Sequence, residues 1–199
     1  MLRSTIVFSL LLAATAPLFA AEPFTPEEGF TSLFDGESLT GWEVRNGGKF
    51  TVEEGVIKLD GGRGWLCSEA EYGDFILKLE LRFLAPKQDG GVFLRASYEG
   101  DNWPKQRYEV QCENSPRMAK LFGAQYEQDL EKTAAALKPD GEWNTYEILC
   151  RGTRCEVRLN GELVTTSDGL KVAAGRIGLQ GEGGKHEYRR LQIKPLQAE

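Results

Sequence analysis

Apolar and polar residues alternate with a period of two along most of this chain. In Asp74–Leu84, Phe75, Leu77, Leu79, Leu81 and Phe83 point one way, and Lys78, Glu80 and Arg82 point the other. Such a stretch is a strand with one dry face and one wet face. Gly90–Ser97 sets Val92, Leu94 and Ala96 against Phe93, Arg95 and Ser97, and Arg107–Glu113 sets Tyr108, Val110 and Cys112 against Glu109, Gln111 and Glu113. Trp143–Cys150 and Cys155–Asn160 read as a hairpin around Arg151–Arg154. Asn160-Gly161 is a type I′ turn signal leading into Glu162–Thr166. Gly175–Gln180 and Glu187–Lys194 close the chain, and short strands are expected at 32–34, 49–53, 56–59 and 65–68. Asp129–Leu137 suits one short helix or a loop. Many short strands with glycine-rich turns predict an all-β sandwich or jelly roll of two antiparallel sheets around one core.

Before the alternation begins, Arg3, the apolar run Ile6–Ala16 and Ala20-Ala21 read as a secretory signal over residues 1–20. The run is too short to span a bilayer comfortably. Residues 21–28, with Pro23 and Pro26, read as a short leader arm, and 29–197 as one domain. A periplasmic or secreted location follows from that reading. The formal charge of −6 argues against nucleic acid and anionic membranes, which select for basic patches. In an oxidising compartment the four cysteines permit disulfides. Cys150 and Cys155 flank a tight turn on one face, so a bridge between them is expected, with buried thiols as the alternative. Cys67 with Cys112 is a second possible pair. Zinc is a poor alternative, because paired CxxC units are missing and the chain holds one histidine.

Chemistry is sought on the wet faces. If their strands are neighbours, Arg95, Glu109 and Gln111 line one polar face, with Lys78, Glu80 and Arg82 adding to it; the bland alternative is solvated surface. Trp103 lies in the turn-rich segment 98–105, where an exposed ring could carry a sugar, whereas Trp42, Trp65 and Trp143 are expected in the core. Glu109 with Glu182 is a candidate carboxylate pair. His186 lacks an obvious Ser or Cys partner and is expected on a strand edge or loop. The glycine-rich Gln180–Lys185 joins strands rather than opening a helix, so it is no phosphate loop.

Gly29–Trp42 (GFTSLFDGESLTGW), Gly64-Trp-Leu, Glu71–Phe75, Gly91–Arg95, Tyr108–Gln111, Gly141–Asn144, Asn160-Gly161, Ile177–Gly184 and Glu187–Arg189 together resemble the 3-keto-disaccharide hydrolase domain family. The resemblance implies a concanavalin A-like or LamG-like jelly roll. It also implies an exported enzyme that cleaves 3-keto-glycosides by removing the C2 proton and expelling the C1 substituent. Carried onto this chain, Glu109 is the candidate base or metal ligand, Gln111 and Arg95 hold the keto oxygen or nearby hydroxyls, and Gln180 and Glu182 complete the site. A divalent metal ion is a candidate cofactor. Many relatives carry Asp-His where this chain has Gly181-Glu182. The rival functions are a non-catalytic carbohydrate-binding domain and an adhesive partner in a larger assembly.

Overall fold

The computed structural model describes residues 24–182 and 184–197 of the 199. The signal-peptide reading and the first part of the leader arm lie outside them. Fourteen strands and one helix follow in chain order: β1 (Thr31–Ser32), β2 (Trp42–Arg45), β3 (Gly48–Glu53), β4 (Val56–Tyr72), β5 (Phe75–Phe83), β6 (Asp89–Ala96), β7 (Tyr108–Glu113), β8 (Leu121–Phe122), β9 (Glu127–Gln128), α1 (Leu130–Ala136), β10 (Asn144–Arg151), β11 (Arg154–Leu159), β12 (Glu162–Ser167), β13 (Gly175–Glu182) and β14 (Lys185–Pro195). All pairings are antiparallel.

The strands form two layers that share β4. One layer runs β3-β4-β14-β5-β10-β11-β12-β9, and the other runs β2-β4-β13-β6-β7-β8. The two short strands expected at 56–59 and 65–68 are one continuous strand of 17 residues. Its first part pairs with β3 and β14, and its second with β2 and β13. Between them the backbone turns through Gly61, Gly62 and Gly64, all at positive φ. A Cβ on Gly64 would stand 2.1 Å from the Arg45 carbonyl oxygen, so only glycine fits that crossing.

The inner faces bury the apolar halves of the alternating strands. Leu77, Leu79, Leu81, Tyr146, Ile148 and Val157 of the first sheet meet Val92, Leu94, Val110 and Leu179 of the second. Strand β5 alternates buried and half-buried residues without exception, as its sequence predicts. Tyr146 joins the layers: its hydroxyl donates to the Gln111 carbonyl at 2.6 Å and accepts from Ala119 N at 2.9 Å. The type I′ turn is present, with Asn160 and Gly161 both at positive φ. Asp129 caps α1 by accepting from Lys132 N at 2.9 Å.

Cys150 and Cys155 are directly opposite in the hairpin, yet all four cysteines are free and buried. Directly opposed strand residues hold their Cβ atoms about 4.5–5.5 Å apart, wider than the separation typical of a disulfide. The two thiols act as small core groups, and hydrogen bonding to Cys155 together with burial pushes Cys150 well above the usual thiol range. Cys67 and Cys112 cannot pair in this fold, because Cys112 lies between the sheets and Cys67 packs with Trp65 and Phe93 on the outer face of the second.

Arg95 departs most from its expected place. It adopts φ 46° at a bulge where β6 slips against β13, and its side chain turns away from the wet face. Fully buried, it donates to the carbonyls of Gly73 (2.9 Å), Gly152 (2.8 Å) and Val172 (2.7 Å), and it pairs with Asp74 at 2.8 Å. Asp74 also accepts from Gly152 N. Arg95 therefore ties three chain segments together at one end of the sandwich. Replacing it with Met strands three carbonyls and a carboxylate. Arg95→Met is expected to lose about 3 kcal/mol or more in urea unfolding, in line with a broken buried ion pair; a loss below ~1 kcal/mol would refute the clamp.

Candidate active site

The outer face of the second sheet carries the chemistry. Alternation along β7 places Glu109 and Gln111 there, opposite the inner-facing Tyr108, Val110 and Cys112. β6 sets Phe93 opposite Glu109 and Gly91 opposite Gln111. On β13, Gln180 lies opposite Trp65 of β4. A Cβ added to Gly91 would meet Glu109 Oε1 at 2.9 Å and Gln180 Oε1 at 3.0 Å. The missing side chain at Gly91 is thus the floor on which these two groups converge.

Although this is an outer face, it is largely dry. Glu109, Gln111 and Gln180 are all buried. The segment between β6 and β7 folds over the sheet and lays Trp103 against Phe93, with ring centroids 6.4 Å apart. Phe93 in turn meets Trp65 at 5.8 Å. An aromatic wall therefore stands beside an acid and two amides, the mixture expected of a small-molecule site.

Burial raises the Glu109 carboxyl above the usual glutamate range, opposed by its hydrogen bond to Arg107 and reinforced by the charges of Asp89 and Glu182. Arg107 Nε lies 3.1 Å from Glu109 Oε2, its Nη1 donates to the Pro104 carbonyl, and its guanidinium stands 5.1 Å from the Phe93 ring centre. Gln111 Nε2 donates to Asp89 Oδ1. Gln180 Nε2 donates to Glu182 Oε2 at 3.0 Å, while Gln180 Oε1 is buried without a partner.

Of the residues expected from sequence, Glu109, Gln111, Gln180, Glu182 and Trp103 share this face, and Arg95 does not. Lys78, Glu80 and Arg82 also fall elsewhere, on the outer face of the first sheet. There Lys78 pairs with Glu27 and Glu147, Glu80 with Arg189 and Arg190, and Arg82 with Glu187. A groove of about 320 Å³ crosses that face, lined by Lys78, Glu80, Glu147 and Arg158 among others. Its charged groups pair with one another. Trp143, expected in the core, is clasped by Arg82 and Arg189, at 4.6 and 4.0 Å from its ring centre.

Sequence reasoning missed Arg107, Asp89 and Gly91. Alternation through 107–113 puts Arg107 on the wet side with Glu109, but it does not show that the two pair, as they do just ahead of β7. Among the described residues no three His, Cys, Asp or Glu side chains gather closely enough to hold a metal ion between them.

His186 is neither at an edge nor in a loop. It is fully buried between the layers, edge-on to Phe83 at 5.2 Å and beneath Gly90, whose Cβ would stand 2.8 Å from Cε1. Neither ring nitrogen meets a protein partner, and burial lowers its pKa to about 4. Because that value lies below the unfolded one, the unfolded chain binds the proton first, and stability falls as pH drops from about 6.5 toward 4. The loss is expected to be on the order of 3 kcal/mol by pH 4, read from urea unfolding at successive pH values. His186→Leu should remove that component; an unchanged pH dependence would contradict the neutral, buried imidazole.

With this geometry in place, comparison with known proteins places the chain. The family described as 3-keto-alpha-glucoside-1,2-lyase-like domain matches residues 29–194. A protein of Bacteroides thetaiotaomicron named 3-keto-disaccharide hydrolase is 24% identical over 159 residues, which cover 61% of this chain and 52% of that protein. The chain thus spans about half of that relative. A solved structure from Parabacteroides distasonis, provisionally named a glycosyl hydrolase, superposes with a TM-score of 0.66 at 25% identity, covering 85% of this chain and 95% of the other. The carbohydrate-binding module CBM66 of Bacillus subtilis shares the fold, with a TM-score of 0.61 at 13% identity over 77% of this chain and 95% of that one.

Proposed function

The chain belongs to the 3-keto-alpha-glucoside-1,2-lyase-like domain family, and from that premise we propose that it cleaves 3-keto-glycosides at the outer face of its second sheet, with Glu109 as the base. The observation that carries this reading is a desolvated carboxylate above a side-chain-free floor. Glu109 is buried, lies over Gly91 in the space a side chain there would fill, and is raised toward the range where a carboxylate is an effective base. The half-buried Trp103 ring, seated on the buried Phe93, offers apolar surface for the sugar.

The chemistry needs two groups side by side. A ketone at C3 acidifies the C2 proton. Glu109 removes it, and the electron pair moves toward the C3 oxygen to give an enolate. Arg107, held 3.1 Å from Glu109, is the cation placed to stabilise that oxygen. It takes the role that the sequence suggested for Arg95. Collapse of the enolate expels the C1 substituent, and Glu109, now protonated, can return the proton to the departing oxygen. Elimination leaves a C1–C2 double bond; addition of water across it completes hydrolysis. The printed names of the family and of its Bacteroides relative, lyase and hydrolase, differ at that last step. This mechanism uses only the residues of the chain.

A second reading, sugar binding without turnover, is favoured by the likeness of the fold to a module named for carbohydrate binding. The signal-like N-terminal segment supports action outside the cytoplasm under either reading.

One assay separates the two. Incubation with a 3-keto-disaccharide is expected to release the leaving sugar, and Glu109→Gln should lower the rate by about 10²-fold or more, as for loss of a general base. Arg107→Met should lower kcat more than it raises KM. Binding without release would support the second reading. Undiminished turnover by Glu109→Gln would remove that residue from the mechanism, and a parallel assay with chelator reports on any metal requirement.

A further inference from the structure

Gln180 presents an anomaly. It is 4% exposed, its Nε2 is engaged by Glu182 Oε2 at 3.0 Å, and its Oε1 has no partner; that oxygen and Glu109 Oε1 lie 3.0 and 2.9 Å from the place a Cβ on Gly91 would take. A buried carbonyl left unpaired is costly, and an ionised carboxylate beside it adds repulsion. Rotating the amide by half a turn would relieve the clash by offering Nε2 to Glu109. The hydrogen bond to Glu182 opposes that rotation. A neutral Glu109 carboxyl supplies the missing donor: its hydrogen can be given to Gln180 Oε1.

We propose that Gln180 is a positioning residue for Glu109, held by Glu182 with its carbonyl oxygen ready to accept a hydrogen bond from the proton that Glu109 carries once it has acted as base. The proposal rests on the assignment of Glu109 as base and assigns Glu182 a role through Gln180 rather than on the sugar. Its chemical logic is direct. Proton removal turns a carboxylate into a carboxylic acid, and a site that hydrogen-bonds the acid form makes the carboxylate a stronger base. With Glu182 holding the amide nitrogen, the carbonyl stays turned to Glu109 and gains its partner only when Glu109 is protonated. The state of the amide and proton transfer are then linked.

The other groups around Glu109 act in known directions. Arg107, from the segment entering β7, favours the ionised form. Asp89 of β6 and Glu182 of β13 favour the neutral form by charge. β8 places Phe122 opposite Glu109, with the Lys120 ammonium 5.1 Å from that ring centre. Removing Glu182 therefore weakens Glu109 as a base in two ways, by lost charge and by freeing the amide. A test must separate them.

Side-chain NMR of the intact protein without sugar does so. The Glu109 carboxyl carbon is assigned with Glu109→Gln, and the Gln180 Nε2 resonances are followed across the same pH range. The Gln180 resonances are expected to move with the Glu109 midpoint, and Glu182→Gln should shift that midpoint to lower pH. A fall in the midpoint of Glu182→Gln while the wild-type Gln180 resonances remain flat through the Glu109 titration would mean that charge alone is at work, and would overturn the proposal. So would an unmoved midpoint. In turnover of a 3-keto-disaccharide, Glu182→Gln should shift the acid limb of kcat/KM to lower pH and reduce plateau kcat on the order of tenfold with little change in KM. If no turnover exists, the proposed function fails, while the resonances still report whether the amide and the carboxyl are linked.

Discussion

Everything at the candidate site depends on β4 serving two sheets. A strand that leaves one layer and enters the other must turn sharply while keeping its hydrogen bonds in both. Gly61, Gly62 and Gly64 make that turn, and at Gly64 the Arg45 carbonyl lies where a Cβ would be. Past the corner, register propagates from strand to strand. Trp65 is fixed opposite Gln180, and Gly178 and Leu179 of β13 are fixed opposite Phe93 and Val92 of β6. β6 in turn fixes Gly91 opposite Gln111 and Phe93 opposite Glu109. A slip of one residue anywhere in this series would send the acid and amides inward and the apolar residues outward.

The same register explains why a face that ought to be wet is dry. In a sandwich the inner faces form the core and the outer faces meet water. Here Trp65, Cys67, Phe93 and Ala96 make a second, smaller apolar cluster on the outer side, and Trp103 packs against it. This roof removes water from Glu109 and Gln180 without placing them in the main core. Desolvation raises the acid, while Arg107 remains close enough to hold it and to meet an oxyanion. The apolar wall and the altered acid therefore arise from one packing arrangement.

Much of this was legible in the sequence because alternation reports a physical constraint, one buried side per strand. Glu109 and Gln111 were placed by that rule, Glu182 was singled out as a possible carboxylate partner of Glu109, and Gln180 came through the family likeness. Arg95 was misplaced because alternation assumes an unbroken pleat, and a bulge at φ 46° in a non-glycine residue leaves no mark on the polar pattern. Its charge then found carbonyls to satisfy rather than solvent. His186 was misplaced because polarity suggests exposure, whereas Gly90 and Gly184 open just enough room for a neutral ring between the layers. Arg107 escaped because alternation gives a side chain's face and not the partner it finds there, here Glu109. The cysteine pair shows the opposite case: the register was right, and the thiols nonetheless stay unbonded.

Jelly rolls of this shape include carbohydrate-binding modules as well as glycosyl hydrolases, so the fold by itself cannot distinguish holding a sugar from breaking one. The distinction lies in how much an acid is disturbed from its behaviour in water. A binding site gains from carboxylates that stay ionised and accept sugar hydroxyls, and burying one without full compensation weakens the site. A base for carbon acids gains from the reverse, a carboxylate whose protonated form has a partner waiting. The unpaired Gln180 carbonyl beside a desolvated Glu109 is unfavourable for an ionised sugar-binding carboxylate and favourable for a carboxylate that receives a proton. That asymmetry, rather than the shape of the fold, is what favours catalysis on this face.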